Sequence, residues 1–388
     1  TNGSGGAPSC WAMASATGVP TAAAALFDTK FVRMPRKIIT AASTAWVERP
    51  LAMLMKPLAR MSAPPVAVSA RPRDRLATTM RTTSALMPRP RPSNFRQPVS
   101  SSATTPISEA TATRMINSLR TFGGELRNTP FWVFSTESDK LESLMDGYTL
   151  VWPLSLPVPG PGYLFEKKVT ACAKAETLIP PGIDNLAWVD PGFLFTAPPT
   201  ELLLEKRYQA AFRPVHIRNV GLPSGEPLDS FWKGICTAVR VEDLQGQVTS
   251  FVDGQHLRTY FNSHAFSIRP GLGLMSEWLE IFLQLAHDAQ FQAEACRDES
   301  HQVFLFQALL STLVSSRVDR KRVKILPATY NYPYNLQERI PAGRRLAALN
   351  EAVCFAYEDL PLHPDMLQGI DVHEPLKGWL EANIPGGK

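Results

Sequence analysis

The sequence predicts an α/β fold: a mostly parallel sheet with helices on both faces, preceded by a disordered N-terminal segment. Three observations carry this. From about residue 112, short apolar and aromatic runs alternate with helical segments, the order that parallel strands and crossover helices produce. Residues 274–289 have a strong amphipathic helical period. Residues 1–105 have a different texture, rich in Ala, Ser, Thr, Pro and Arg.

The elements follow in order. "RMINSLRTFGGELRNTP" opens as a helix with Met115, Leu119 and Phe122 on one face, and Gly123-Gly124 stops it. "FWVFST" (131–136) is a buried strand, "SDKLESLMDG" a short helix ended by Gly147, and "YTLVWPL" (148–154) a second strand. "EKKVTACAKAETL" (166–178) is a helix closed by Pro180-Pro181-Gly182, and "LAWVD" is the third strand. Beyond it come a strand in "YFNSHAFSIRP" (260–270) and the helix 274–289, with Trp278, Ile281, Phe282 and Leu285 on its apolar face. A buried helix over 301–314 and "VKILPATYNYPYN" (323–335), a strand running into an aromatic loop, complete the pattern.

This divides the chain into a low-complexity basic leader, 1–110, and one folded domain, 111–388. Pro57 interrupts the helical stretch 51–60 and prolines recur at 64, 65, 88, 90 and 92, so the leader offers little core. An inert leader, an organellar transit segment and an out-of-frame translation all suit that composition.

Charge separates the two parts. Residues 1–105 carry 14 Lys or Arg and 3 Asp or Glu, a balance of +11, which leaves 26 against 32, or −6, for the rest. A basic excess confined to the leader argues against nucleic acid as a partner. The five cysteines form no C-x-x-C pair, which argues against zinc and suits a reducing, cytoplasmic setting. No apolar run is long enough for a membrane span. A dehydrogenase G-x-G-x-x-G and a hydrolase G-x-S-x-G are both absent.

"LAWVDPGFLF" (186–195) poses the functional question. Pro191 cannot continue a sheet ladder, so the strand ends on Asp190. Ligands bind at the carboxyl ends of strands in open α/β sheets, and Asp is also a common turn residue. Both readings stand on this stretch alone.

Seven segments in order carry a resemblance: "SLRTFGGELRNTPFWVF", "EKKVTACAKAE", "LAWVDPGFLF", "RPVH", "YFNSHAFSIRP", "HQVFLFQALL" and "LPATYNYPYN". Over roughly 112–360 they resemble the nucleotide-diphospho-sugar transferase superfamily. This is the GT-A, Rossmann-like glycosyltransferase fold, with glycogenin-like and lipopolysaccharide-galactosyltransferase-like enzymes as the nearest patterns. The resemblance implies a nucleotide-sugar donor, UDP-linked in the first place, an unknown acceptor, and a divalent metal, manganese or magnesium.

The family's metal motif is Asp-x-Asp. Here it reads Asp190-Pro191-Gly192, and no Asp-x-Asp occurs anywhere in the chain. The resemblance therefore implies Asp190 as metal ligand and donor contact, with the metal held weakly if at all, and Gly192→Asp as the change that restores manganese affinity. It also implies Lys168 and Arg213 as donor-binding residues and Asn262 and Gln307 as catalytic ones, with His216 beside Arg213 facing the acceptor. Each has a plainer reading: Lys168 as a solvated helix residue, Asn262 as a backbone cap at a strand end, His216 as structural. Ser263 or His264 stands where the family has glycine, and Phe306 where it has an acidic residue or His. The first strand, which cups the nucleotide base in the family, is poor here: "QPVSSSATT" has Pro98 and few apolar residues. The expected activity is a hexosyltransferase impaired by its incomplete motif. The alternative is a non-catalytic binding module on the same fold.

Overall fold

The computed structural model describes residues 109–157, 163, 165–357, 367 and 369–384. The disorder expected of the leader concerns residues outside these. Helix α1 (Glu109–Phe122) buries Ala112, Met115, Ile116 and Leu119, the three-and-four spacing of one helical face. It stops where foreseen. The Gly123 amide donates to the Leu119 carbonyl at 2.8 Å, and a Cβ on Gly123 would sit 2.4 Å from that oxygen.

Strand β1 (Phe131–Ser135) is buried at every residue. It pairs in parallel with β2 (Thr149–Pro153), from Phe131 opposite Thr149 to Ser135 opposite Pro153. The link between them contains a 3₁₀ helix over Ser138–Leu144 rather than an α-helix. Helix α2 (Glu166–Leu178) has the bounds its sequence predicts. Then come β3 (Leu186–Val189), β4 (Phe193–Phe195), β5 (Ala210–Pro214), α3 (Ser230–Val239), and a small hairpin of β6 (Gln247–Thr249) and β7 (His256–Arg258). The chain continues through β8 (Phe261–Ile268), α4 (Leu274–His287), α5 (Ala289–Glu294), α6 (Glu299–Arg317), β9 (Val323–Ile325), β10 (Cys354–Ala356) and α7 (Leu376–Asn383).

Four strands form one sheet in the order β3-β8-β5-β9. Strand β8 runs antiparallel to both β3 and β5, while β5 and β9 are parallel. The α/β class stands, but the sheet is more mixed than a mostly parallel one. Alternation of helix and strand does not reveal direction, and β8 enters from the far side after the β6–β7 hairpin. Among the described residues strand β3 pairs only with β8, so it lies at the end of this ladder.

Strand β4 pairs antiparallel with β10, 159 positions on by the Phe195–Cys354 register. Its alternation divides the core. Phe193 and Phe195 enter the apolar cluster of Met115, Leu119, Val133 and Val189, while Leu194 enters a second with Tyr332, Phe355, Leu376 and Leu380. Helix α6 is buried on nearly all sides between Val303 and Val314 and packs on β8, α3 and α4; α2 packs on α4.

Candidate functional site

The site grows from a strand period of two and one reversal of direction. Trp188 and Asp190 fall on the same face of the strand and its extension, and the Trp188 indole N–H donates to Asp190 Oδ1 at 2.7 Å. Because β8 is antiparallel, its first residues lie beside the carboxyl ends of β3 and β5: Val189 is opposite Ala265, and Arg213 is opposite Asn262. The Asp190 amide then donates to the His264 carbonyl at 2.9 Å. A parallel β8 would have brought its opposite end, Ser267 and Ile268, to this edge.

Lys168, in the first turn of α2, reaches the same edge. Its Nζ lies 2.8 Å from Asp190 Oδ1 and 2.9 Å from Oδ2, and donates to the Ser263 carbonyl at 2.8 Å and to Ser263 Oγ at 3.3 Å. The Phe306 ring lies under it, with its centroid 5.1 Å from Nζ. His264 Nδ1 is 3.1 Å from Asp190 Oδ2. Ser263 donates to Gln307 Oε1 twice, from its amide at 3.2 Å and its hydroxyl at 3.1 Å. Asn262 Oδ1 accepts from the His264 amide at 2.8 Å and from Asn331 Nδ2 at 2.9 Å. Burial alone would raise the Asp190 carboxyl. The Lys168 ammonium and then His264 outweigh it and bring it down to about 2.

Asp190, Lys168, Asn262 and Gln307 thus belong to one hydrogen-bonded network, with Ser263 and His264 as its links. All four are buried, Lys168 at 9% and Asp190 at 7% exposure, so the solvated-face reading of Lys168 does not hold. The network meets solvent through His264 and Trp188, both half-buried. Trp188 has a second role. With Met115, Trp132, Phe134 and Pro191 it lines an apolar pocket among α1, β1 and β3. One indole is therefore both pocket wall and donor to the charged cluster.

Arg213 stands apart from Asp190. Its Nη1 donates to the carbonyls of Tyr330, at 2.8 Å, and Asn331, and its guanidinium lies 4.7 Å from the Phe251 ring centroid. Its Nη2 is buried with no hydrogen-bond partner among the described residues, and no carboxylate pairs with it there. Burial presses the group down to about 9, still charged at neutral pH. His216 Nδ1 is likewise buried without a partner, and burial followed by the nearby Arg213 charge holds this imidazole neutral.

The divalent metal implied at Asp190 does not fit these residues. Both carboxylate oxygens are engaged by an ammonium, an indole and an imidazole. No group of three or more His, Cys, Asp or Glu side chains among the described residues could hold a metal ion. Ser263, His264 and Trp188 are the members that sequence reasoning missed. A signal existed: "NSH" places three polar residues in a row in a strand whose other residues, Ser267 apart, are apolar, and Trp188 is two positions from Asp190.

No protein-family model matches the chain, and no curated protein matches it. Solved structures do. One is apo mouse xyloside xylosyltransferase 1, 12% identical over 64% of this chain and 91% of that one, TM-score 0.34. Another is the apo bifunctional WbbM, 11% identical over 64% of this chain and 43% of that one, TM-score 0.36. A third is LgtC with donor and acceptor sugar analogues, 13% identical over 64% and 83%, TM-score 0.35. All three are glycosyltransferases. Likenesses of this size carry no functional argument, so the reading below rests on the site's own residues. No helix among the described residues is long and apolar enough to cross a membrane.

Proposed function

We propose that the chain is a glycosyltransferase-like protein that binds a nucleotide-diphosphate sugar, UDP-linked in the first place, and transfers a hexose to an acceptor. One observation carries the reading: the Trp188 indole joins an aromatic pocket to a buried charged network at one sheet edge. A nucleotide sugar needs that pairing, an aromatic surface for its base and directed polar groups for its sugar and phosphates; the cavity is about 30 Å³, so in this reading the base enters only as its aromatic walls part. In this reading Trp132, Phe134 and Trp188 face the base. Lys168 stands in the cation's place on the diphosphate side, its charge balanced by Asp190, and Asp190 fixes Lys168 and His264. Gln307 and Asn262 orient sugar hydroxyls, and Arg213 with His216 lies toward the acceptor. The thiols of Cys172, Cys236, Cys296 and Cys354, buried and unpaired, suit a reducing, cytoplasmic setting.

Titration calorimetry with UDP, UDP-glucose and UDP-galactose, paired with an assay of UDP release, tests it. Saturable binding, with UDP released faster than in Asp190→Asn, supports a transferase. Absence of binding for all three ligands removes the reading. A second reading is a non-catalytic binding module. It is favoured by the commitment of both Asp190 oxygens and Gln307 Oε1 to partners within the protein. It predicts binding with no release of UDP above the uncatalysed rate.

A further inference from the structure

The surroundings of the Lys168 ammonium are those of a bound cation. A carboxylate meets it through both oxygens, a main-chain carbonyl and a hydroxyl of Ser263 face it, and an aromatic ring closes one side. Carboxylate, carbonyl and hydroxyl oxygens are also what a hard divalent ion takes as ligands. Here three N–H donors use them instead. The ring beneath is held in place: Phe306 stacks on Phe165 at 4.0 Å between centroids, and its own carbonyl accepts from the Trp278 indole.

Charge balance points the same way. Lys168 and Asp190 cancel, and a divalent ion added there would meet one carboxylate already neutralised. To reach it, the ion would have to displace an ammonium that has little water to return to. Both side chains are about nine-tenths buried, and separating such a pair leaves an uncompensated buried charge.

We infer that Lys168 is the resident cation of this site and excludes divalent metal from Asp190, so that ligands bound at this edge are held without a metal. For a nucleotide diphosphate the inference rests on the function proposed above. For the metal itself it does not.

The test has two arms on the full chain. In the first, free Mn²⁺ is followed by its electron paramagnetic resonance signal during titration of wild type, Asp190→Asn, Lys168→Met and Lys168→Met/Asp190→Asn. Wild type is expected to bind no more Mn²⁺ than Asp190→Asn. Lys168→Met should bind it at least about tenfold tighter, since removal of an adjacent like charge favours a cation by that order, and the double variant should lose the gain. Mn²⁺ binding by wild type that Asp190→Asn abolishes overturns the inference, and this comparison needs no Lys168 variant to fold. In the second arm, UDP affinity is measured in excess EDTA and in excess MnCl₂. Equal affinity supports the inference, and binding that requires Mn²⁺ overturns it. Should UDP bind in neither buffer, the nucleotide reading fails and the Mn²⁺ titration alone decides the question of the cation.

Discussion

Lys168 Nζ and Asp190 sit 2.8 to 2.9 Å apart through both carboxylate oxygens, one side chain from the first turn of α2 and the other from the end of β3. The pair ties a helix to a sheet edge inside the protein. Removing one partner is therefore costly in a way that a surface pair is not. Lys168→Met should lose about 3–5 kcal/mol of stability, measured by urea unfolding at neutral pH. Lys168→Met/Asp190→Asn should recover a substantial part of it, because no buried charge is left alone. A loss below about 1 kcal/mol in the single variant, the range of exposed pairs, would show the pair to be solvent-screened.

The same pair sets an acid limit. The Asp190 carboxyl stands at about 2, below its ordinary 3.8. A lowered carboxyl contributes stability that is complete above its ordinary value and lost as pH falls through the folded one. The window is therefore between about pH 4 and pH 2, and the contribution is roughly 2 kcal/mol. Stability measured across that window should fall by about this much more in wild type than in Asp190→Asn, where no carboxyl remains at 190. Parallel curves would mean that Asp190 is not held low.

How much of this was legible depended on which physical signal each element carries. Helix α2 could be bounded to the residue because prolines stop it, and β1, β3 and β8 to within one or two residues because apolar and aromatic runs end at turn residues. The facing of Lys168 could not be read. Helix α2 buries Glu166, Lys168 and Glu176 along with its alanines, so its apolar period gives no orientation, and a lysine in it passes for a solvated one. The β4–β10 pairing escaped because two three-residue strands far apart in sequence carry almost no periodic signal. The roles of His264 and Ser263 depended on β8 running antiparallel, a matter of direction that apolar pattern does not encode. Asp190, Asn262 and Gln307 could be singled out, but not that links through Ser263 and His264 would join them.

Trp188 offers a test of the junction between pocket and network. Trp188→Phe keeps an aromatic wall and deletes the N–H that donates to Asp190 Oδ1 at 2.7 Å. A hydrogen bond to a charged group is worth about 1.5–3 kcal/mol, and unfolding curves should show a loss of that order. The Asp190 carboxyl also loses a donor that favours its charged form, so the acid limb of the stability curve should move to higher pH. Trp188→Phe with unchanged stability and acid limb would mean that the indole only fills space.

Gly192 is the last test, and it reverses what the incomplete Asp-x-Asp suggests. Gly192 does not take a positive φ, so its turn does not require glycine's backbone freedom. It is buried, and its carbonyl accepts from the Tyr357 amide at 2.9 Å. Gly192→Asp therefore places a carboxylate on a buried residue. The Lys168 ammonium is already committed to Asp190, and an unpaired buried charge costs about 3 kcal/mol or more. Gly192→Asn, nearly the same shape without the charge, should lose less at neutral pH. The gap between the two variants should close as pH falls below the ordinary carboxylate range and the introduced carboxylate protonates. Manganese affinity should not rise in Gly192→Asp alone, because Lys168 still holds the cation position. It should rise in Gly192→Asp/Lys168→Met, where Asp190 no longer has its ammonium and a second carboxylate stands two residues away in the chain. A single variant that binds Mn²⁺ as tightly as the double would show that the missing second carboxylate, and not the resident lysine, is what keeps metal out.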